Sequence, residues 1–302
     1  MSRIMVTGAS GFLGKAVVKA AQAAGADVVA LSRRAAPAEA GVTPVALDLG
    51  DHGAPEALEA VLEGVDTVIH AAARLIGTAE EHARDTVGGT AHLTRALEAG
   101  GSQVKLVLVS SIAVYDVAAM ENGTTLDEDM RLVETAEQRD HYAAAKAEQE
   151  RHFRLYQGPK QLIRPGAIYG PNNLWSAQLG FAKGSMIFCP GGGALMPAIS
   201  VERSAAALVR AALAEGSGET VNLIDPDPPT QIEWLAALGL RKIAVPLGLV
   251  YLVGALTGRG PAWQARFRPL RYDTSRAEAL LEGVPHPGFA EAVKAAKAEE
   301  RA

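Results

Sequence analysis

Tyr142-Ala143-Ala144-Ala145-Lys146 sets a phenol and an ammonium four residues apart, so a helix would carry both on one face. An unperturbed phenol has a pKa near ~10, too high for efficient proton exchange at neutral pH. A neighbouring ammonium favours the phenolate and lowers that value, as does a cationic nicotinamide ring. Such a lysine can also hold ribose hydroxyls. Gly8, Gly11 and Gly14, after a short apolar run, offer the complementary part. In a strand-to-helix turn the first glycine allows the tight turn and the second lets backbone approach a pyrophosphate. The third permits close helix–strand packing, and the helix N-terminus presents amides to phosphate. A dinucleotide beside a proton donor is what hydride transfer at a carbonyl carbon requires. Each signal has a plainer reading when taken alone: a surface tyrosine on an alanine-rich helix, or glycines in any tight turn.

The end of the second apolar run informs on the dinucleotide. NAD sites usually place a carboxylate there for the ribose diol. This chain has Ser32-Arg33-Arg34. A guanidinium can pair with a 2′-phosphate through charge-assisted hydrogen bonds, so NADP(H) is expected, with NAD as the alternative.

The elements that must position these groups are legible as alternating runs. Ile4–Val6, Val28–Leu31, Val42–Leu47, Thr67–His70, Lys105–Ser110 and Gln161–Arg164 read as short apolar strands. Between them Phe12–Ala24, Glu56–Glu63, Glu80–Ala99 and His141–Tyr156 read as helices. Gly25 and Gly100-Gly101 fall where helix C-termini should stop. Strand alternating with helix implies right-handed crossovers and a parallel sheet covered on both faces. The expected fold is therefore α/β, a Rossmann-type doubly wound parallel sheet. After Gly170-Pro171 the alternation weakens, and Gly191-Gly192-Gly193, Asp225-Pro226-Asp227-Pro228-Pro229 and Pro285-His286-Pro287 punctuate shorter pieces. Residues 1–171 are expected to form the dinucleotide-binding domain. Residues 172–302 would be mainly a smaller substrate-binding lobe, with some segments returning to the main sheet.

The 302 residues can bury a full core, and 48% hydrophobic with 21% charged residues is ordinary for a soluble enzyme. A net charge of −5 gives no sign of a nucleic-acid surface. Cys189 is the only cysteine, which excludes an internal disulfide and a cysteine metal cluster; no metal is expected. Met1-Ser2-Arg3 runs straight into the first strand without a secretory signal, so a cytoplasmic location is expected. Ile243–Leu256 lacks charge but is shorter than the ~20 residues of a spanning helix. It also contains Pro246 and Gly248, and is expected as a buried or dimer-facing helix rather than a membrane-surface one.

Thr7-Gly8-Ala9-Ser10-Gly11-Phe12-Leu13-Gly14, with its GxxGxxG spacing, resembles the extended short-chain dehydrogenase/reductase family (the NAD-dependent epimerase/dehydratase superfamily). The resemblance implies cofactor contacts from Ser10, Phe12 and Leu13 as well as the glycines. In Leu47-Asp48-Leu49, Asp48 matches the family's adenine-amino contact, with Leu49 beside it. His70-Ala71-Ala72-Ala73 matches the family's small-residue turn beneath the cofactor. On the residues alone His70 is more often a structural cap than a ligand, whereas the resemblance implies His70, Ala71 and Ala72 as cofactor contacts. Val109-Ser110-Ser111-Ile112-Ala113-Val114-Tyr115 resembles the strand-end motif and selects Ser111 over Ser110 as the hydroxyl that binds the substrate oxygen. Arg164-Pro165-Gly166-Ala167-Ile168-Tyr169-Gly170-Pro171 resembles the segment that packs on the nicotinamide, which implies Pro165 as a contact. Tyr272-Asp273-Thr274-Ser275-Arg276-Ala277 resembles a stretch typical of extended members.

Departures from the family pattern are specific. Thr86 stands in Thr86-Val87-Gly88-Gly89-Thr90 where the family has an asparagine that supports the catalytic helix. Ala145 replaces a common serine, and Asp116 a common glycine. Family dehydratases carry an Asp-Glu pair after the strand-end serine; here those positions are Ile112 and Ala113. Sugar-nucleotide epimerases usually present a diphosphate-clamping arginine where Gly193–Ala198 is apolar. The resemblance therefore implies the reductase and sterol-dehydrogenase side. The expected activity is an NADP(H)-dependent dehydrogenase or reductase acting on a small-molecule alcohol or carbonyl. Ser111, Tyr142 and Lys146 would be catalytic, with Trp175, Phe181, Met186, Phe188 and Met196 as candidates for an apolar pocket. The alternatives are a sugar-nucleotide epimerase retaining NAD, and a non-catalytic dinucleotide-binding scaffold. A homodimer is expected because extended members often pair through the helices bearing the tyrosine.

Overall fold

A computed structural model describes residues 2–34, 39–183, 186–191 and 193–300; Gly192 of the triple-glycine punctuation lies outside them. The chain divides into two compact units, one of 1–114, 141–164 and 204–221, the other of 115–140, 165–203 and 222–302.

In the first unit five strands follow one another: β1 (Arg3–Thr7), β2 (Asp27–Ser32), β3 (Val42–Ala46), β4 (Thr67–His70) and β5 (Lys105–Val109). They form a seven-stranded sheet with Lys160–Pro165 and Val221–Leu223, in the order Val221–Leu223, Lys160–Pro165, β5, β4, β1, β2, β3. Every pairing from Lys160–Pro165 across to β3 is parallel. The central strands β4 and β5 are buried at every residue, which is why they read as unbroken apolar runs rather than alternating ones. One core cluster joins Met5, Leu31, Val68 and Leu106 of the sheet to Leu58, Leu97 and Phe153 of the covering helices.

Those helices are α1 (Phe12–Ala23), α2 (Ala54–Val61), α3 (Ala79–His82), α4 (Gly89–Ala99) and α5 (His141–Leu155). Gly25 and Gly101 have φ +80 and +85, the left-handed conformation that ends α1 and α4. The single helix expected over Glu80–Ala99 is instead three pieces, because 83–88 winds as a π-helix between α3 and α4. The wider turn holds Thr86 in the interior. Such π turns mark functional segments in many helices.

The second unit holds a three-stranded sheet, Arg241–Val245, Met186–Pro190 and Phe181–Lys183, and two two-stranded sheets. Tyr169, Trp234 and Phe289 pack as a mutual aromatic cluster with centroids 4.7–5.7 Å apart. The helix expected over Ile243–Leu256 requires correction. Ile243–Val245 completes a strand, and the helix occupies Leu247–Leu256. Pro246 separates them, since its ring suits a helix start and has no N–H for a strand ladder. Nor is that helix wholly buried: Val250 and Gly254 face inward while Leu249, Leu252 and Leu256 are exposed.

Candidate active site

The glycine turn leaves no space for side chains on the protein side. Gly8 has φ +69, and a Cβ there would stand 2.9 Å from the backbone of Ala72. A Cβ on Gly14 would stand 2.1 Å from the Gly8 carbonyl oxygen. Position 8 is thus confined to glycine because the backbone of Ala71 and Ala72 lies against it. Gly11 N–H donates to Gly8 O at 2.9 Å, and α1 then starts with no side-chain cap and no acidic residue in its first turn. Its first amides and positive end are left for another acceptor. Ser10, Gly11 and Phe12 are exposed around that end, and Leu13 is half-buried. An open helix N-terminus above a cradle of bare backbone fits a dinucleotide diphosphate.

At the end of β2, Ser32 is buried and its hydroxyl donates to Arg34 O at 2.6 Å. Arg33 is two-thirds exposed, with Asp85 as a loose ion partner at 3.7 Å. Asp48 accepts from Gly50 N–H at 3.0 Å and from Arg84 at 2.9 Å. Burial opposes its ionisation, but the Arg84 guanidinium and the Gly50 amide hold its carboxyl below the usual carboxylate range. Leu49 is buried, and a Cβ on Gly89 would meet its Cβ at 3.2 Å.

The parallel register sets Thr7 opposite His70. The imidazole of His70 turns wholly inward, with Nδ1 2.7 Å from Thr7 Oγ1 and Nε2 2.9 Å from Thr90 Oγ1. Burial, then the Lys146 charge, push its pKa down to about 3, so the ring is neutral. The neighbours fix its tautomer. Thr90 Oγ1 donates to Thr86 O at 2.8 Å, so it accepts from Nε2–H. Thr7 Oγ1 accepts from Ala72 N–H at 3.2 Å and donates to Nδ1. His70 is therefore a hub beneath the glycine turn, and its ring nitrogens are both occupied.

The same hydrogen-bond path reaches α5. Gln149 Nε2–H donates to Thr90 Oγ1 at 2.8 Å, and Gln149 Oε1 accepts from Lys146 Nζ at 2.8 Å. Lys146 also donates to Val109 O, the last residue of β5, at 2.8 Å. Burial lowers the Lys146 pKa to about 7, with the Glu150 carboxylate pulling the other way. A buried ammonium has three donors, and two of them are used in fixing its direction. Tyr142 lies one turn earlier on α5, half-buried, its ring edge-on to His82 at 6.3 Å between centroids.

α5 packs on the 3-10 turn Ile112–Val114, which opens at Ser111. The geometry separates the two serines. Ser110 is buried and donates to Glu150 at 2.6 Å, while half-buried Ser111 accepts from Ala113 N–H at 3.1 Å. Ser110 thus belongs to a buried structural cluster in which Arg164 meets both Glu150 oxygens at 2.9 and 2.7 Å. The first unit therefore collects Ser111, Tyr142, Lys146, the glycine turn, Arg33, Asp48 and His70, while Pro165 belongs to the second.

The pocket candidates do not share one environment. Met196 is buried with Trp234 in the second unit's core. Phe181 packs at a tilt on Trp263 and edge-on to Phe267, while Trp175 and Met186 are exposed. Gln149, Thr90 and Arg84 were not singled out in the sequence. The available signal for the first was the spacing of Lys146, Gln149 and Glu150 at i, i+3 and i+4, three polar residues on one inward helix face.

The chain matches the model of the NAD-dependent epimerase/dehydratase family over residues 4–223. It is 30% identical over 251 residues to a 3-diazoavenalumate denitrifying reductase from a Streptomyces species, covering 77% of this chain and 79% of that one. It is 29% identical over 177 residues to a ceramide reductase from Caulobacter vibrioides, covering 56% of this chain and 47% of that one. Among solved structures, MoeE5 in complex with UDP-glucose and NAD superposes with a TM-score of 0.74 at 21% identity, with full coverage of both chains. At that identity the likeness is one of fold.

Proposed function

The chain belongs to the NAD-dependent epimerase/dehydratase family and is an enzyme of the extended short-chain dehydrogenase/reductase type, and on that premise we propose that it is an NADP(H)-dependent oxidoreductase acting on an alcohol or carbonyl. When bound, the nicotinamide supplies or accepts the hydride. In the reductive direction Tyr142 Oη gives its proton to the substrate oxygen, which Ser111 Oγ holds by a hydrogen bond. Lys146 favours the ionised phenol through its charge and reaches the nicotinamide ribose with its remaining donor. The glycine turn and the start of α1 hold the diphosphate.

Lys146 is the observation that carries this assignment. A buried ammonium with a pKa near 7 is costly unless its environment fixes it for a task. Here it is tied to the last carbonyl of β5 and to Gln149, on the helix that bears Tyr142 and packs on the Ser111 turn. Ile112 and Ala113 follow Ser111 and have no acid–base chemistry, which argues against water elimination. The relatives named as reductases favour net redox turnover over epimerisation. NADP(H) is favoured over NAD because Arg33 is exposed and its ion pair with Asp85 is a loose 3.7 Å, which a 2′-phosphate can outcompete.

The test is a panel of aldehydes, ketones and alcohols followed by coenzyme absorbance, with NADPH and NADH in parallel, for the native chain and Arg33→Ala. The native chain should turn over with NADPH preferred. Arg33→Ala should lower kcat/KM with NADPH by roughly tenfold or more, as for a lost hydrogen bond to a charged group, and leave NADH little changed. Equal losses with both coenzymes would move the phosphate site elsewhere. A chain that retains NAD through purification and gives no net turnover would replace the proposal with sugar-nucleotide epimerisation.

A further inference from the structure

The chain as a whole carries a net charge of −5, yet residues 240–272 hold Arg241, Lys242, Arg259, Arg266, Arg268 and Arg271 and no carboxylate. Inside this cationic run lies Leu247–Leu256, a helix without a single charged residue. One side of it is occupied. Val250 is buried, and Gly254 sits so close to Trp263 that an added Cβ would meet the ring at 3.0 Å. The other side is a stripe at i, i+3, i+4 and i+7: Leu249, Leu252, Val253 and Leu256, exposed by 52, 57, 39 and 79%. A helix apolar all round belongs in a core or a lipid phase, and this one has only half of a core.

The strand leading into the helix extends the same surface. Register aligns Lys183, Met186 and Arg241 across the three-stranded sheet, so two cations flank an exposed methionine on one face. Ile243, two residues along from Arg241, is exposed on that face as well. Apolar side chains rimmed by cations are thus continuous in sequence from the sheet through Pro246 into the helix.

We propose that this surface docks on an anionic membrane, with the helix lying in the plane of the headgroups. Ten residues span only about 15 Å, half of a hydrocarbon core, and no helix among the described residues is long and apolar enough to cross a membrane. Leucines entering the acyl boundary beside cations that meet lipid phosphates is how interfacial helices bind. Charge decides against a second copy of the chain as the occupant. A two-fold contact sets a patch against itself, and the run from 240 to 272 has no carboxylate to answer Arg241 and Arg259.

Sedimentation of the full chain with vesicles tests this, using phosphatidylcholine alone and phosphatidylcholine mixed with phosphatidylglycerol. The chain should pellet with the mixed vesicles, be released by added salt, and stay in solution with the neutral ones. Leu252→Glu with Leu256→Glu should abolish pelleting. Arg241→Gln and Arg259→Gln should each weaken it roughly fivefold. All four side chains are exposed, so thermal unfolding and turnover of a water-soluble substrate should stay at the native level; these readouts report on the catalytic proposal separately. Absence of pelleting with anionic vesicles overturns the proposal, as does binding that ignores the two glutamates. A concentration-dependent dimer in analytical ultracentrifugation that these glutamates dissolve, without vesicle binding, would assign the surface to a second copy instead.

Discussion

Each unit buries an arginine against a carboxylate, but the two pairs end in different places. In the second unit Arg203 donates to Asp225 at 2.7 Å and to the carbonyls of Val284 and Pro285 at 3.0 and 2.9 Å. Its guanidinium ties one loop to another, and Asp225 continues to His286 Nδ1 at 3.9 Å, whose Nε2 meets the exposed Asp227. In the first unit Arg164 and Ser110 hold Glu150, whose charge reaches Lys146, and Lys146 leads through Gln149, Thr90 and His70 to the glycine turn. That network joins the candidate proton-transfer group to the candidate coenzyme cradle. Buried polar groups are costly in both places. What separates a fastening from a working site is whether the chain of partners runs out in loop carbonyls and a surface carboxylate or reaches a group beside a candidate ligand cradle.

If that distinction holds, substitutions in the two networks should fail in different ways. Tyr142→Phe keeps the ring against His82 and removes only the hydroxyl. Turnover should fall by at least ~100-fold, the usual worth of a positioned proton donor, while NADPH binding measured by fluorescence persists. Arg203→Met should do the reverse. Leaving Asp225 buried without its partner should cost about 3–5 kcal/mol in urea unfolding, with kcat per folded molecule retained. An active phenylalanine variant, or a methionine variant that is stable but slow, would erase the contrast.

The sequence made the scaffold legible because its central strands are buried on both faces and α1 and α4 stop at glycines. β4 reads as Thr67–His70 in both sequence and structure, and α1 differs by one residue at its end. The glycine spacing and Tyr142/Lys146 were equally plain, being local patterns. What escaped depends on partners distant in sequence. Gln149 meets Thr90 across 59 residues and Arg84 meets Asp48 across 36, and neither pairing leaves a mark on local periodicity. The π turn at 83–88 was hidden for another reason, since its residues suit an ordinary helix. Ile243–Val245 was absorbed into a helix because an apolar run without alternation does not distinguish strand from helix. Pro246 was the available boundary.

The hub of the first network supplies the smallest and most selective prediction. His70 has a folded pKa of about 3 against 6.5 in the unfolded chain, because burial and Lys146 both disfavour its charge. Below pH 6.5 the unfolded chain takes up a proton that the folded one refuses, so the stability contributed by neutral His70 falls as pH drops towards 3. Lys146, lowered to about 7, acts in the window between 7 and 10.5, so the two do not overlap. From pH 6.5 to 5 the His70 contribution should shrink by about 2 kcal/mol. Carboxylates titrate nearby, so the measurement is the difference in unfolding free energy between the native chain and His70→Asn at each pH. Asn keeps a donor and an acceptor but does not titrate, and the gap between the two chains should narrow with acid by that amount. A gap independent of pH would mean the imidazole is already charged or already wet, and the continuous path from Lys146 to the glycine turn would be broken at His70.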